Sequence, residues 1–488
     1  MNFSCLRINF YVLVMILINT SCDLSENLTG QPTIDKFFQT KEDFDSYIKG
    51  AYSPLIELYG SDIPYVAGSG ADDVFTPVIR WKGFEHIDIN SVGNPDEITE
   101  MLWNSYYKSI SSCNTLINII NESSNESISK EDLSLINAEA RFLRAFNYFQ
   151  LVRWFGEVPL LTEDNQNNAS KEKQSTVERI YEYIVSDLKI AETNLSDMTS
   201  DSSRPNIWTA KSLLAKVYLA MAGFPLNKKQ YNVLAKDKAY EIIKAEVYSL
   251  EKNFSQLWIW DNRKSNSEFI FTLYASSDNG LGSYLHQAVR PVDGGENGWG
   301  DWTGDKLFLQ TFENGDKRIA GSFYLRTSDG TSWENTNIAQ PYVGKYRDAG
   351  PKSGGYAGIS IANKADGFFC LIRYSEILLV YAEAANLAEG NPSEKAYESI
   401  NKVRERAGLK KISELTTIQF DEAVLNERKY EFAFEGKRWF DLCRRHILKE
   451  TMIDYYDDID IDDHNYLLPK PNSQLSIMTG ISQNPGYN

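Results

Sequence analysis

Two tryptophans and several carboxylate or amide side chains stand together in the stretch GGENGWGDWTGD, residues 294 to 305. Trp299 and Trp302 are three residues apart, and Asn297 and Asp301 lie beside them. A sugar ring offers a face of C–H groups and a rim of hydroxyl groups, so flat aromatic side chains suit its face and polar side chains suit its rim. The stretch therefore has the residue types of a site that binds a sugar.

The two tryptophans differ in their sequence neighbours. Glycines flank Trp299 and let the loop bring its backbone close to a ligand, which favours contact between this ring and the ligand. Trp302 is followed by the apolar residues Leu307, Phe308 and Phe312, which are spaced as on a helix. Trp302 is thus predicted either to face a ligand or to hold the loop against the core.

Sequence patterns typical of enzymes are missing from the chain. It contains no HExxH, GxSxG or GxxxxGK[ST], and its four histidines are too scattered to predict a metal site from spacing. The acidic stretch at 457 to 466 lacks the glycine and glutamate that an EF-hand loop needs, so we expect a solvated loop. Paired carboxylates for glycoside hydrolysis remain open, with Asp301 and Asp305 joined by Asp72 or Asp73 as candidates.

Helical periodicity dominates both ends of the chain. Phe44, Ile48, Ala51 and Leu55 step by four, three and four residues and predict one apolar helix face. Further helices are predicted to stop at Gly156, Gly223 and Gly390, each followed by a proline. Residues 373 to 408 then read as a helix–turn–helix of about 34 residues, the length of a tetratricopeptide repeat.

Two irregular stretches interrupt this helical pattern. Residues 280 to 358 hold half of the chain's 30 glycines and cannot form a regular helix. Residues 60 to 98 carry Tyr65, Asp73 and Trp81. Ring-bearing loops on a rigid helical scaffold are typical of a division between binding and support.

A charged cluster occurs in the block ERKYEFAFEGKRWFDLCRR, residues 427 to 445. Helical spacing brings Glu427 beside Glu431 and Arg438 beside Asp441. We predict that this cluster is a structural ion-pair network that ties the last helices together, and we therefore exclude it from the ligand site.

The N-terminus has the pattern of an export signal. The apolar run from Ile8 to Ile18 follows Arg7 and is too short to cross a bilayer. Two small residues and Cys22 come next, as in a bacterial lipobox, although Asn19 stands where an aliphatic residue is usual. We predict a lipoprotein signal peptide at residues 1–21 and lipidation of Cys22; the alternative is an ordinary secretory peptide.

The net charge excludes some classes of binding partner, and the cysteine spacing argues against disulfide bonds. The chain has a net charge of −17, and residues 1–21 contain one basic residue and no acidic residue, so the remainder has −18. Such a chain repels phosphate backbones and anionic lipid, and we expect no nucleic-acid partner. Cys113, Cys370 and Cys443 have no paired spacing and are predicted to be buried free thiols.

The chain resembles the SusD/RagB family of outer-membrane lipoproteins from Bacteroidetes in five blocks that occur in the same order: RFLRAFNYFQLVRWFGEVPLL, RYSEILLVYAEAAN, INKVRERAGL, ERKYEFAFEGKRWFDLCR and QNPGY. GAYSPL and WNSYYKSISSCNTLI fit the same pattern. The resemblance covers residues 22 to 488 and implies one mainly α domain. It implies four tetratricopeptide-like hairpins in a right-handed superhelical scaffold, at about 35–270 and 366–450, with a loop-rich, mixed insert at about 271–365 that carries the ligand site.

The resemblance also implies a function. Such a chain is expected to capture an oligosaccharide or polysaccharide at the cell surface and deliver it to a SusC-like TonB-dependent transporter, with a lipid anchor in the outer membrane and no catalytic residue, metal or cofactor. Tyr65, Asp73 and Trp81 lie where family members often place part of the site. A peptide ligand is the alternative, and a tetratricopeptide-type protein-interaction scaffold is a third.

Overall fold

The structure is a computed structural model, and it describes residues 37–78, 81–85, 96–122, 127–198, 200–348, 364–453, 455 and 461–487. Nine long helices carry the fold: α1 Lys41–Tyr59, α4 Asp96–Glu122, α5 Lys130–Phe155, α6 Val177–Asn194, α7 Ile207–Ala222, α8 Tyr231–Ala245, α12 Tyr374–Glu389, α13 Glu394–Arg406 and α14 Thr417–Glu431, counted over these residues. Shorter helices are α2 Ile63–Ala67, α3 Lys82–Glu85, α9 Leu285–Ala288, α10 Lys306–Gln310, α11 Ile319–Ser322, α15 Arg438–Arg445, α16 Leu448–Ile453 and α17 Asn472–Ile477.

Short strands pair in four antiparallel ribbons within the described ranges. The strands are β1 Val74–Phe75, β2 Val158–Pro159, β3 Gln174–Ser175, β4 Phe269–Ala275, β5 Thr303–Gly304, β6 Phe323–Tyr324, β7 Tyr342–Val343 and β8 Gly367–Arg373. They pair as β1 with β5, β2 with β3, β4 with β8 and β6 with β7. The pairing of β4 with β8 brings together the two ends of the glycine-rich insert.

The long helices pack in sequence order as a tetratricopeptide-like superhelix. Each of α4 to α8 contacts the next, α1 packs on α4, and α8 contacts α12 across the insert. Helix α12 then packs on α13 and α14. The predicted mainly α fold class is confirmed, and the helix–turn–helix predicted at 373 to 408 is found as α12 and α13.

Helix α1 shows how the sequence sets these elements. Its side chains Phe44, Ile48, Ala51 and Leu55 are all fully buried, as their spacing predicts. Thr40 begins the helix, because its hydroxyl accepts the N–H of Asp43 at 3.3 Å while the Asp43 carboxylate accepts the N–H of Thr40 at 2.7 Å. Local capping and one apolar face therefore fix this helix.

A buried carboxylate joins the insert to the scaffold. Glu431 on α14 accepts bonds from Arg373 at the end of β8 and from Arg406 on α13. Arg318 of the insert lies 3.4 Å from the same carboxylate and 2.5 Å from Glu427. Burial alone would raise the pKa of Glu431, but the three guanidinium groups outweigh it and hold that pKa well below its usual range.

Further ion pairs extend this network beyond the block in which it was predicted. Arg373 also bonds Glu268 before β4 at 2.7 Å and Glu435 at 2.8 Å. Arg438 pairs with Asp72 at 2.6 Å instead of the Asp441 expected from helical spacing. The predicted structural network is confirmed, and it ties the insert, β8 and the last helices into one unit.

Two further findings concern the chain as a whole. No helix within the described ranges is long and apolar enough to cross a lipid bilayer. Cys113, Cys370 and Cys443 are free thiols; the first two are buried, as predicted, and Cys443 is partly buried.

We predict that Glu431→Gln lowers the free energy of unfolding by about 3–5 kcal/mol at neutral pH, because it leaves three buried guanidinium groups short of a counter-charge. The measurement is chemical denaturation. Since the folded-state pKa of Glu431 is depressed, its stabilisation is present above about pH 4.3 and is lost as the pH falls towards the folded-state value. The difference between variant and wild type should therefore shrink on acidification.

Glu178→Gln is the matched control. Glu178 pairs with Lys228, and the two side chains are 48% and 29% exposed. Removing such a surface pair should change stability by less than about 1 kcal/mol. Equal losses in the two variants would refute a special role for Glu431.

Candidate functional site

The loop that carries Trp299 folds back on the chain just before it. The N–H of Gly298 donates to the carbonyl of Pro291 at 2.8 Å, and the N–H of Trp299 donates to that of Gln287 at 2.9 Å. Gly300 bonds the carbonyl of Arg290 at 2.9 Å. These bonds fix the backbone on both sides of Trp299, while its side chain is 44% exposed.

The flanking glycines are required by close packing. A Cβ at Gly298 would lie 2.3 Å from the Cβ of Arg290 and 2.4 Å from its carbonyl oxygen. Gly300 has a φ of +58°, and a Cβ there would lie 2.9 Å from Ile338 and 3.1 Å from Val292. The close approach predicted for these glycines is thus directed at the protein itself, and it presents Trp299 outward.

Glu296 holds the base of this loop. Its buried carboxylate accepts bonds from the Tyr324 hydroxyl at 2.6 Å, the Ser328 N–H at 3.0 Å and Arg347 at 2.9 Å. Burial alone would raise the pKa of Glu296, but the bonds from Ser328 and Tyr324 and the charge of Arg347 outweigh it and lower that pKa. Glu296 has a side chain of the type expected to bind sugar hydroxyl groups, but in the structure it holds the loop in place.

The exposed Trp299 forms an aromatic pair with the partly buried Tyr284. The rings of Trp299 and Tyr284 lie 5.7 Å apart at 32°. The side chains of Val292 and Ile338 flank the same loop at Gly300, and Val292 is 49% exposed. We call these four side chains the Trp299 surface; a shallow platform of this kind suits the C–H face of a ring-shaped ligand.

Tyr284 is fixed by the scaffold. Its N–H donates to the carbonyl of Gly60, which directly follows α1, at 2.8 Å. The neighbouring Ser283 pairs with Ala365 across an antiparallel bridge. The exposed Lys364 places its ammonium over the Tyr284 ring, 5.2 Å from the ring centre, so a hydrogen-bond donor stands next to one ring of the Trp299 surface.

The residues predicted for the site fall into two layers. Trp302 is fully buried and stacks on Tyr65 with ring centres 5.0 Å apart and planes 6° apart. Trp81 and Asp73 are also buried. Of the two interpretations of Trp302, the structure shows the one in which it holds the loop to the core.

The outer layer contains the other predicted residues. Trp299 and Asn297 are exposed, and Asp301 is partly exposed. Asn297 has a φ of +50°, a conformation that asparagine tolerates better than most residues. Asp301 stands two residues after Trp299 in the sequence, and its N–H donates to the carbonyl of Ala288 at 2.9 Å. These three lie where a ligand can reach them. Cys22 is outside the described residues.

The acids considered for catalysis serve other contacts. Arg438 and Lys429 bind Asp72; burial would raise its pKa, but the two cations hold it at about 2. Asp73 accepts the N–H of Phe434 at 3.0 Å, and burial raises its pKa to about 6. Asp305 caps α10 through the N–H of Leu307 at 2.6 Å.

No group of three His, Cys, Asp or Glu side chains in the described ranges is arranged to hold a metal ion. Part of the acidic stretch at 457 to 466 is outside those ranges.

Two sequence models of known families match the chain. One, described as the SusD family, matches residues 310–487, and the other, described as starch-binding associating with outer membrane, matches residues 27–219. The chain belongs to the SusD/RagB family. It is similar to SusD-like protein P2 of Formosa agariphila, with 27% identity over an alignment of 527 residues that covers 99% of each chain.

Solved structures of SusD-like proteins share the fold. A SusD homolog from Bacteroides thetaiotaomicron has a TM-score of 0.80 and 23% identity, covering 94% of this chain and 99% of that one. A laminarin binding SusD-like protein has a TM-score of 0.76 and 22% identity, covering 92% of this chain and 100% of that one.

Within this SusD/RagB fold, sequence reasoning missed Tyr284. It stands 15 residues before Trp299, and only the backbone bonds among residues 287–301 and to Gly60 bring the two rings together. Its one sequence signal was an aromatic residue at the start of the glycine-rich insert.

We predict that Asp73→Asn raises the free energy of unfolding at pH 7.5 by up to about 3 kcal/mol. The folded-state pKa of about 6 lies above the unfolded value near 3.9, so ionised Asp73 destabilises the fold above pH 6. As the pH falls from about 6 to 4, protonation of Asp73 should stabilise the wild type, whereas the asparagine of the variant does not titrate. Denaturation at pH 7.5 and pH 4 measures the difference, which should shrink at the lower pH; a constant difference would contradict this assignment.

We also predict that Gly298→Ala destabilises the protein by about 1–3 kcal/mol, the usual cost of inserting a methyl group into a packed site. The methyl group must separate the chain from Arg290 and so disturb the bonds that hold Trp299. Thermal unfolding and tryptophan fluorescence measure both effects. Gly50→Ala in α1 is the control, because nothing lies within 4 Å of its added Cβ, and it should be neutral or stabilising. Unchanged stability in Gly298→Ala would show that the loop can accommodate the methyl group without disturbing its backbone bonds, and would contradict this prediction.

Proposed function

We propose that the chain is a cell-surface glycan-binding lipoprotein that captures an oligosaccharide or polysaccharide and delivers it to a SusC-like TonB-dependent transporter. The observation that carries this proposal is the pairing of the exposed Trp299, on a loop whose geometry is set by glycines, with the partly buried Tyr284. Asn297, Asp301 and Lys364 supply polar groups around it. This is the combination of ring face and polar rim that a sugar requires.

The comparisons support a glycan as the ligand. A SusD-like structure of the same fold is described as laminarin binding, and one of the two matching family descriptions refers to starch. The Trp299 surface is shallow, so a polymer that engages several copies of the protein at once would gain affinity through avidity. Of the other predicted site residues, Tyr65, Trp81, Asp73 and Trp302 are buried, and Trp302 stacks on Tyr65.

The proposed location rests on Cys22 and on the family. A family description refers to association with the outer membrane. Several acyl chains on Cys22 would give stable anchoring, whereas a single chain gives marginal binding. The acids at positions 23 and 26 resemble the surface-export signal of Bacteroidetes lipoproteins. Metabolic labelling with a radioactive fatty acid should mark the wild type and leave Cys22→Ala unmarked.

We propose that the chain binds its ligand without cleaving it. Three of the four acids considered for hydrolysis, Asp72, Asp73 and Asp305, are buried in ion pairs, a backbone bond or a helix cap. Incubation with a bound polysaccharide should release no reducing ends, and release above a buffer blank would contradict this part of the proposal.

We predict that Trp299→Ala weakens polysaccharide binding by about 1–3 kcal/mol, the scale of one lost ring contact. This corresponds to roughly a 5- to 150-fold increase in Kd. The first step is an affinity-gel screen of the purified protein against polysaccharides, followed by titration of the best ligand. Tyr284→Ala should weaken binding in the same direction, because it removes the second ring.

Trp208→Ala is the control, since Trp208 is a partly exposed tryptophan on helix α7 of the scaffold. It should bind as the wild type does. Equal affinity in wild type and Trp299→Ala would remove Trp299 from the site. If no polysaccharide is retained and mass spectra of the purified protein contain oligopeptides, the ligand is a peptide and the glycan proposal is wrong.

A further inference from the structure

A cavity of about 230 Å³ lies among the scaffold helices, beneath the joined ends of the insert. Its walls are mostly aromatic and aliphatic, with Tyr106, Phe149, Tyr181, Leu213, Val380 and Phe440 among them. At one end the lining includes Asp463, whose side chain is 81% exposed, so this end reaches the surface. The volume far exceeds the roughly 15 Å³ that one water molecule needs.

Arg153 on α5 contributes a fixed cation to this cavity. Its Nε donates to the carbonyl of Phe149 at 3.0 Å, and its Nη2 donates to Gln150 at 2.5 Å. The guanidinium carbon lies 4.0 Å from the ring centre of Phe149 and 3.8 Å from that of Phe440. Aromatic contacts and two hydrogen bonds therefore hold the group in one orientation before any ligand arrives.

Within the described ranges no carboxylate lies within 4.0 Å of Arg153, although Glu376 acts on it from a longer distance. The hydrogen bonds of its guanidinium group there come from Nε and Nη2, which leaves Nη1 for a ligand. Arg153 is partly buried and is one of the residues that line the cavity. A partly buried cation without a paired carboxylate is costly, and its energy falls when an anion binds beside it.

The neighbouring charges do not supply the missing anion. Glu376 lies 3.0 Å from Lys216, 2.7 Å from Lys437 and 3.8 Å from Arg428, so three cations share one carboxylate. Burial lowers the pKa of Lys216 to about 8, and the charges of Lys437 and Arg153 act in the same direction against Glu376. Glu376 is thus already engaged by these cations and forms no ion pair with Arg153 within 4.0 Å.

Two other carboxylates in the lining are also engaged. Glu435 pairs with Arg373 and Lys345, each at 2.8 Å. Asp441 lies 2.8 Å from Arg428 and 2.9 Å from Arg444. The remaining lining carboxylate, Asp463, stands at the exposed end.

We propose that this cavity binds a small organic carboxylate with an apolar body about the size of one ring. The carboxylate accepts a hydrogen bond from Nη1 of Arg153, and the apolar body lies against Phe149, Leu213 and Val380. Guanidinium–carboxylate bonds are among the strongest hydrogen bonds in proteins, and apolar walls with one placed charge are typical of small-molecule sites. The site is separate from the Trp299 surface and does not depend on the glycan proposal.

The direct test is a crystal structure of the protein soaked with 4-bromobenzoate. We expect a bromine anomalous peak within the cavity and a carboxylate oxygen within hydrogen-bond distance of Arg153. A fully occupied ligand elsewhere, or a cavity that holds only water at saturating 4-bromobenzoate, would overturn the proposal.

The solution test compares variants by calorimetric titration. Arg153→Met keeps the length of the side chain and removes its charge, and we expect at least tenfold weaker binding of 4-bromobenzoate. Arg153→Lys keeps the charge without the planar fork and should bind with intermediate strength; it also serves if the methionine variant does not fold. Arg179→Met on α6 is the control, because Arg179 is 63% exposed.

The neutral 4-bromobenzamide separates charge recognition from simple filling of an apolar space. It should bind wild type at least tenfold more weakly than the carboxylate does. Equal binding of amide and carboxylate, or binding to Arg153→Met within twofold of wild type, would overturn the proposal.

Discussion

The carboxylate of Glu431 is shared by three arginines that come from three parts of the chain: the insert, the end of β8 and helix α13. Such a group is stable only when its partners are all in place, because a buried charge that loses a partner costs several kcal/mol. Correct docking of the insert is therefore a condition for a stable C-terminal half. We infer that the network favours one position of the insert on the scaffold more sharply than nonpolar packing alone would.

The insert can be irregular because this junction is rigid. Trp302 stacks on Tyr65 within the core, and β5 pairs with β1, so the residues beneath the loop cannot shift freely. The loop above them then needs only backbone bonds to fix Trp299. Buried groups that do not contact a ligand, such as Trp302 and Tyr65, thus help to fix the positions of the Trp299 and Tyr284 rings.

Sequence reasoning was strongest where the evidence is local. The apolar face of α1 and the charged block at 427 to 445 are set by spacing within one helix or between near neighbours, and both were predicted. Arg318 joins that block from more than 100 residues away, so no spacing rule could reveal it. The same limit explains Tyr284, whose position beside Trp299 depends on a bond to Gly60 more than 200 residues earlier in the chain. Glu296 and Asp305 are polar residues of a type that could bind a sugar, but the sequence does not show that both are buried.

The charge of the chain and the charge of its cavity have opposite consequences for ligands. With a net charge of −17, the outside of the protein repels polyanions, so an extended ligand on the Trp299 surface is favoured when it is neutral. At the cavity, Arg153 contacts two aromatic rings and bonds Gln150 and the carbonyl of Phe149, while the lining carboxylate Glu376 is already shared by three cations. Short-range charge dominates there because mostly apolar walls lower the local dielectric constant and weaken screening. The two proposed sites would therefore select different chemistry, a neutral sugar polymer outside and a small carboxylate within the helical scaffold.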